Sequence, residues 1–121
     1  MNHKPMKEQN IYIQISRYLQ LQYPDVPYHF DLGSGMKMTI GQAVKNKRMN
    51  SWRGYPDLFI AVARNGFHGL FIEIKKDVKI PKSKHVKEQL AVLNKLNDNG
   101  YKSVMAGGFD NVKQTIDNYL N

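Results

Sequence analysis

Two β-rich runs separated by a tight-turn signal constrain the fold of this chain more than any other part of its sequence. The runs cover residues 57–63 and 69–75, and the pair Asn65-Gly66 lies between them. Asn-Gly is typical of the two-residue turns that join antiparallel strands, because both residues tolerate a positive φ. The sequence therefore predicts a β-hairpin near the middle of the chain.

Side chains alternate between the two faces of a strand, so each run of the hairpin divides into two sets. The aliphatic sets are Leu58, Ile60 and Val62 on the first run, and Leu70, Ile72 and Ile74 on the second. Burial of both sets on one side excludes registers that slip by one residue. The opposite face of the hairpin then carries Asp57, Phe59, Ala61, Phe71, Glu73 and Lys75.

Apolar periodicity and turn signals elsewhere predict four helices and two more strands, in the order α-β-α-β-β-α-β-α. The predicted helices cover residues 8–22, 39–48, 83–99 and 110–120, and the predicted strands cover 28–32 and 101–106. We expect N-caps at Thr39, Ser83 and Asp110. The buried faces are expected to be Ile40, Ala43 and Val44 in the second helix, and Val86, Leu90, Leu93 and Leu96 in the third. No repeat or linker interrupts this order, so residues 1–121 are predicted to form a single α/β domain.

The chain is small and basic, with 121 residues, 18 Lys and Arg against 10 Asp and Glu, and a net charge of +8. Its longest apolar run, from Leu58 to Ala63, is far shorter than the about 20 residues that cross a bilayer. The N-terminal residues do not resemble a secretory signal, so we expect a cytoplasmic protein that does not associate with a membrane. Because cysteine is absent, a metal ion would have to be held by oxygen or imidazole ligands.

The positive charge is concentrated in two segments. No carboxylate lies between Asp31 and Asp57, and a lysine-rich segment follows Glu73. Such a local excess is typical of proteins that bind a polyanion, although a solvated cationic surface has the same composition. We predict that basic residues of both segments contact a nucleic acid, namely Lys45, Lys47, Arg48, Arg53, Lys76, Lys82 and Lys84.

Asp57, Glu73 and Lys75 form the cluster with the clearest chemical meaning. A hairpin symmetrical about Gly66 places Asp57 across from Lys75 and diagonal to Glu73, with Cβ atoms about 5 to 8 Å apart. Two carboxylates this close repel each other unless one is protonated or a cation bridges them, and oxygen ligands favour Mg²⁺ or Mn²⁺. The alternative is an ordinary cross-strand ion pair at the surface. Pro56 favours the site, because it fixes the point at which the acidic strand leaves its loop.

The motif Gly54-Tyr55-Pro56-Asp57, followed by Glu73-Ile74-Lys75, resembles the PD-(D/E)XK nuclease superfamily. Within it, the chain is similar to the small VRR-NUC family of phages and of eukaryotic interstrand-crosslink repair nucleases. Matches at Glu8, at Gln89 with Leu96, and at Gly100-Tyr101 extend the resemblance over nearly the whole chain. The resemblance implies a restriction-endonuclease-like α/β core, in which helices flank a central mixed sheet, and a divalent-metal-dependent DNA endonuclease.

The resemblance also implies partners and a setting. Single-domain members of the family are similar to Holliday-junction resolvases, which implies a homodimer that acts on branched DNA in replication, recombination or repair. A phage-encoded protein of this kind would work in the cytoplasm of the bacterial host cell.

The resemblance assigns roles to the acidic cluster. Asp57 and Glu73, together with the backbone carbonyl of Ile74, would hold one or two Mg²⁺ ions, for which Mn²⁺ would substitute. Lys75 would either orient the attacking water or stabilise the transition state.

Four residues outside this cluster have two interpretations each. Glu8 would either reach the metal or stabilise the dipole of the first helix, and Gln89 would hydrogen-bond either Lys75 or the attacking water. Trp52 and Tyr55 would either stack on a base or pack in the core, and we expect core burial of at least one. The 4 histidines have no ligand spacing and are not expected to bind a metal.

Two other functions stay open at this point. One is a nucleic-acid-binding module that has the same fold without the catalysis, and the other is a basic scaffold or oligomerisation protein. The intact set of Asp57, Glu73 and Lys75 favours the nuclease.

Overall fold

A computed structural model describes residues 8–31 and 38–121, apart from the side chains of Glu8 and Gln9. The predicted order of elements is confirmed. The elements are α1 (Glu8–Gln22), β1 (Tyr28–Phe30), α2 (Ile40–Met49), β2 (Leu58–Ile60), β3 (Leu70–Lys75), α3 (Lys84–Asp98), β4 (Lys102–Gly107) and α4 (Phe109–Leu120). The predicted end of the first strand, at Leu32, lies outside the described residues.

The four strands form one mixed sheet in the order β1-β2-β3-β4. β2 pairs antiparallel with both β1 and β3, whereas β4 pairs parallel with β3. A parallel neighbour requires a long crossover, and α3 supplies it between β3 and β4. Helices flank the sheet, so the chain has the α/β architecture, with a central mixed sheet, that the resemblance implies.

The hairpin between β2 and β3 is confirmed, but its predicted symmetry is wrong. Asn65 and Gly66 occupy the turn with φ of 53° and 85°, and Arg64 and Phe67 exchange both backbone hydrogen bonds across it. Residues 61–63 separate β2 from this bridge, whereas only 68–69 separate it from β3, so the first side of the hairpin is longer by one residue.

The longer side shifts the pairing. Leu58 lies opposite Ile72, and continuing this register by one residue places Asp57 opposite Glu73 rather than opposite Lys75. The register still keeps both aliphatic sets on one face, as their burial requires.

The hydrophobic core lies on one face of the sheet, beneath α1 and α4. The central strands contribute the fully buried side chains Leu58, Ile60, Leu70, Ile72 and Ile74, as predicted. Helix α1 adds Ile11, Ile15 and Leu19, and α4 adds Val112, Ile116 and Tyr119. Each fully buried Leu or Ile stabilises the fold by about 1.5 to 3 kcal/mol relative to exposure. Because these side chains lie on one face of the sheet, the opposite face can carry polar groups.

Helix α2 forms where it was predicted and buries nothing. Its N-cap is Thr39, which accepts from the backbone N–H of Gln42 while the Gln42 side chain accepts from the backbone N–H of Thr39. The predicted buried face is wrong, because Ile40 is 86% exposed and Ala43 and Val44 are exposed too. Helix α2 is therefore stabilised at its N-terminus by its capping box, and it lies outside the core.

The other two corrections concern α3 and α4. Ser83 caps α3 as predicted, but its buried residues are Val86, Gln89, Val92 and Leu93, and Leu90 is 43% exposed. Gly108, not Asp110, occupies the N-cap of α4, and Asp110 lies in the first turn, where a carboxylate favours the helix dipole.

None of the helices in the described part of the chain has the length and apolarity needed to span a membrane.

Candidate active site

A cleft of about 720 Å³ opens on the face of the sheet opposite the core. Its size is in the range of about 300 to 1,000 Å³ that accommodates small ligands. Three parts of the chain line it: the face of α2 that carries Asn46 and Lys47, the loop at residues 50–55, and the ends of β2 and β3. From the other side, α3 closes the cleft with His85 and Gln89.

Asp57 is held rigidly at the bottom of this cleft. It directly precedes β2, follows the buried Pro56 and is 2% exposed. Its Oδ2 accepts a hydrogen bond of 2.8 Å from the backbone N–H of Ile74, and its backbone carbonyl accepts one of 2.8 Å from the N–H of Asp31. These bonds fix the carboxylate against β3.

Glu73 lies on β3, opposite Asp57, and is 4% exposed. The Nε2 of Gln89 donates a hydrogen bond of 2.5 Å to its Oε1, and the Nζ of Lys75 lies 3.8 Å from the same oxygen. The amide donor and the ammonium charge therefore both face one oxygen of a carboxylate that is otherwise removed from water. Two buried carboxylates and a half-buried ammonium group are gathered in one cluster.

Gln89 is the residue that sequence reasoning placed least well. It belongs to α3, is 5% exposed, and its amide donates to Glu73, whereas the expected partner was Lys75 or the attacking water. Gly54 lies next to Gln89, because a methyl group at this position would be in van der Waals contact with the Cγ of Gln89, at 3.4 Å. The loop before Asp57 thus packs directly on α3.

The structure brings six of the predicted site residues together and leaves others apart. Asp57, Glu73, Lys75, Gln89, Lys47 and Arg53 line the cleft. The remaining predicted cationic residues are exposed, and they do not line it: Lys45, Arg48, Lys76, Lys82 and Lys84. Glu8 is the first residue of α1, and its side chain lies outside the described residues.

Ile74 contributes to the site through its backbone only. Its side chain is fully buried in the core, while its N–H donates to Asp57. A role of its carbonyl as a metal ligand stays a prediction.

Several residues of the cleft had no signal in the sequence, and two had a weak one. Asp31, Asn46, Asn50, Ser51 and His85 line the cleft because the loops and α2 fold over it, which no local pattern indicates. Trp52 and Tyr55 also line it, and the expectation that one of them is buried is wrong: they are 46% and 42% exposed.

Tyr55 is supported by the sheet on its inner side. Its ring meets that of Phe71 edge-on, with centroids 5.6 Å apart and planes at 87°. Burial raises the pKa of the Tyr55 phenol, and the nearby Tyr101 and Asp31 raise it further. The side chain is therefore a neutral aromatic surface with one polar end.

The donor set of the cleft suits a hard divalent cation. Asp57 and Glu73 offer carboxylate oxygens, and Mg²⁺ is commonly held by one or two carboxylates, with water and substrate phosphate completing its coordination. Among the side chains that the structure describes, no cluster of three or more His, Asp or Glu residues is arranged to hold a metal ion. A cation here would thus be bound by two carboxylates and depend on water or substrate for its other ligands.

Comparison with solved structures connects this arrangement to a known family. A structure described as a VRR_NUC domain protein superposes with a TM-score of 0.76 at 31% sequence identity, covering 98% of this chain and 91% of that chain. The chain belongs to the VRR-NUC family. No protein-family model matches the sequence, and no curated protein does either.

Membership of the VRR-NUC family makes this a nuclease-type domain and confirms the resemblance found in the sequence. In this chain, the ends of β2 and β3 meet at the cleft. Asp57, Glu73 and Lys75, the residues that carried the resemblance, lie together there.

Proposed function

We propose that the protein is an Mg²⁺-dependent DNA endonuclease that hydrolyses phosphodiester bonds at the cleft. The observation that carries this proposal is the pair of opposed, buried carboxylates, Asp57 and Glu73, with Lys75 3.8 Å from Glu73, in a chain of the VRR-NUC family. A surface ion pair would not bury two like charges beside each other, because their desolvation and mutual repulsion are costly.

Asp57 and Glu73 would hold the cation, with the carbonyl of Ile74 and the carboxylate of Glu8 as further candidate ligands. Mg²⁺ is the expected ion and Mn²⁺ the expected substitute, since both prefer oxygen ligands. When bound, such a cation makes water a stronger nucleophile and neutralises charge on the scissile phosphate.

The cationic residues of the cleft have distinct tasks in this proposal. The ammonium group of Lys75 donates to the attacking water or to a non-bridging phosphate oxygen, where its charge stabilises the developing negative charge. Lys47 and Arg53 bind the flanking phosphates and hold the DNA backbone across the cleft. Gln89 is a positioning residue, because it acts on the reaction through Glu73.

Branched DNA as the substrate and a homodimer as the active form are further parts of the proposal. They rest on the family, whose single-domain members resemble junction resolvases, and a phage-encoded protein would act in the host cytoplasm. The excess of positive charge, +8 over 121 residues, supports a polyanionic substrate of some kind.

A cleavage screen tests the proposal. Four-way junctions, flaps, single strands and blunt duplexes are incubated with Mg²⁺, with Mn²⁺ and with EDTA, and the mass of the native protein is measured alongside. We expect metal-dependent cutting of at least one substrate, and a loss of about 10²-fold or more in rate for Lys75→Ala. Binding of DNA without cleavage of any substrate would instead identify a non-catalytic binding module on the same fold.

A further inference from the structure

The aromatic side chains of this protein are distributed unevenly over its surface. Every Phe, Tyr and Trp of the sequence lies within residues 8–31 and 38–121, and all but two are buried or half-buried. The two exposed rings are Trp52, at 46%, and Tyr55, at 42%. Both line the cleft that contains Asp57 and Glu73.

The two exposed rings are held on a short, constrained segment. Arg53 and Gly54 separate the pair, and Gly54, which has a φ of 81°, packs against Gln89 of α3. Tyr55 rests edge-on against Phe71, which stacks on Phe59 with centroids 4.3 Å apart and also meets Tyr101 edge-on. The contact with Phe71 therefore holds the Tyr55 ring in position, and the exposed part of the ring is accessible to a ligand.

Positively charged side chains line the same cleft as this aromatic pair, and a nucleotide offers both a phosphate and a flat base. Lys47, Arg53 and Lys75 offer cations for phosphates, and the rings beside them offer flat apolar surfaces. Base stacking on aromatic side chains contributes substantially to the binding of single strands, and it tolerates any sequence because every base has a π-face. A base inside a continuous duplex is already stacked on its neighbours and is not available to such rings.

We propose that Trp52 and Tyr55 bind an unpaired nucleobase next to the scissile phosphate, so that the substrate class is DNA with unpaired nucleotides at the cut site. This inference rests on the proposed nuclease function and narrows it. Single strands, flaps and splayed forks meet the requirement, whereas a continuous duplex does not.

The protein contains its own reporter for this test, because Trp52 is the only tryptophan. Metal-free protein in EDTA is titrated with a single-stranded thymidine oligonucleotide and with a blunt, fully paired two-strand duplex that has the same total number of phosphates. Fluorescence anisotropy of labelled DNA measures the binding of each, and the emission of Trp52 measures stacking. We expect the single strand to quench Trp52 emission strongly and the duplex to leave it nearly unchanged at equal occupancy.

Variants separate stacking from charge. Tyr55→Ala should weaken single-strand binding about tenfold and leave duplex binding unchanged, whereas Tyr55→Phe should retain the wild-type affinity for both. Trp52→Ala and Trp52→Phe, followed by anisotropy, should behave in the same way. Leu90→Ala, a change at a side chain that is also exposed but lies outside the cleft, is the matched control and should change neither affinity.

Two results would overturn the inference: equal quenching of Trp52 by both DNAs, or binding of the single strand without quenching and without an effect of Tyr55→Ala. Different results would refute the proposed nuclease function. Quenching by single strands combined with no cleavage in Mg²⁺ would refute the nuclease and leave the base-binding site in place, while cleavage without quenching would do the reverse.

Discussion

One side chain from α3 holds Glu73 in place. Gln89 is buried and donates from its Nε2 to Glu73 Oε1 at 2.5 Å. Its replacement by Ala would leave a buried carboxylate without this donor, at a cost of about 1 to 3 kcal/mol in the free energy of unfolding. Because a displaced carboxylate binds a cation poorly, we expect the cleavage rate or the apparent Mg²⁺ affinity to fall about 10- to 100-fold.

Urea unfolding and cleavage at varied Mg²⁺ concentration measure the two effects of Gln89→Ala. The neighbouring substitution Leu90→Ala is the control for a change on the same helix, since Leu90 is 43% exposed, and it should alter neither quantity. Wild-type metal dependence in Gln89→Ala would show that Glu73 needs no positioning from α3.

Gly54 is a second residue whose identity the site requires. Its φ of 81° is strained for any side chain, and a methyl group there would approach Gln89 Cγ to 3.4 Å. We expect Gly54→Ala to lower the free energy of unfolding by about 1 to 2 kcal/mol, and to reduce cleavage because the strained φ lies in the loop that leads to Asp57. The control is Gly41→Ala in α2, which has nothing within 4 Å of the added methyl group and should be neutral or slightly stabilising. Equal urea midpoints for the two variants would contradict this account of the loop.

The sequence predicted the acidic cluster at this scale because strand alternation is a local property. Asp57, Glu73 and Lys75 fall on one side once the aliphatic residues are assigned to the other. Asp31 and His85 reach the cleft through tertiary packing, which has no local signature in the sequence. The same holds for the contact between Gln89 and Glu73, because a glutamine beside an apolar helix face is typical of a surface position.

At the level of elements, the hairpin shows where sequence patterns stop being sufficient. The alternation of side chains allows only pairings of β2 with β3 that differ by two residues. Which of these pairings forms depends on residues 61–63, which lie between β2 and the turn at Asn65-Gly66 and do not pair with β3. For α2, the N-cap expected at Thr39 predicted the start of the helix correctly. Its weak apolar face was assigned to the core, although the core surface was already covered by α1 and α4.

A further prediction concerns DNA binding by helix α2 and the loop that follows it. Lys47 and Arg53 are the predicted DNA-binding residues that line the cleft, so each should account for about one phosphate contact. We expect Lys47→Ala and Arg53→Ala each to weaken DNA binding uniformly across sequences and to reduce the slope of log K against log salt by about 1. Anisotropy titrations at several salt concentrations measure both effects.

Lys113→Ala is the matched control for these charge changes. Lys113 lies on α4, which packs on the face of the sheet opposite the cleft, and its Nζ lies over the ring of Tyr18. The slope should be unchanged in this variant. A loss equal to that of Lys47→Ala would indicate that DNA binding depends on overall charge instead of the cleft.

The whole molecule should lose stability in alkaline solution through the contact between its terminal helices. Tyr18 and Tyr23 both donate to Asp117 Oδ1, at 2.5 and 2.7 Å. Burial raises the pKa of both phenols above the ordinary value of 10.0, and the Asp117 carboxylate raises each further. The folded state thus favours the neutral phenols, so their stabilisation is complete below pH 10 and is lost as the pH rises beyond it.

Urea unfolding between neutral pH and about pH 11 tests this prediction. We expect the free energy of unfolding to fall above pH 10 in the wild type, and to fall less steeply in the double variant Tyr18→Phe, Tyr23→Phe, because phenylalanine has no proton to lose. Burial also raises the pKa of Tyr55 and Tyr119, so part of the decline should remain in the double variant. An unchanged slope in that variant would show that the cluster at Asp117 does not link stability to pH.

The central claim about the molecule is that the opposed carboxylates at the hairpin perform phosphodiester chemistry. Asp57→Asn tests it most directly, because asparagine keeps the size of the side chain and the acceptor for the Ile74 N–H, and removes the charge that would hold a cation. The measurement is the single-turnover cleavage rate in Mg²⁺, with urea unfolding and metal-free DNA affinity measured on the same preparation. We predict a rate loss of about 10²-fold or more with folding and DNA affinity intact. Cleavage by Asp57→Asn at the wild-type rate would contradict the claim.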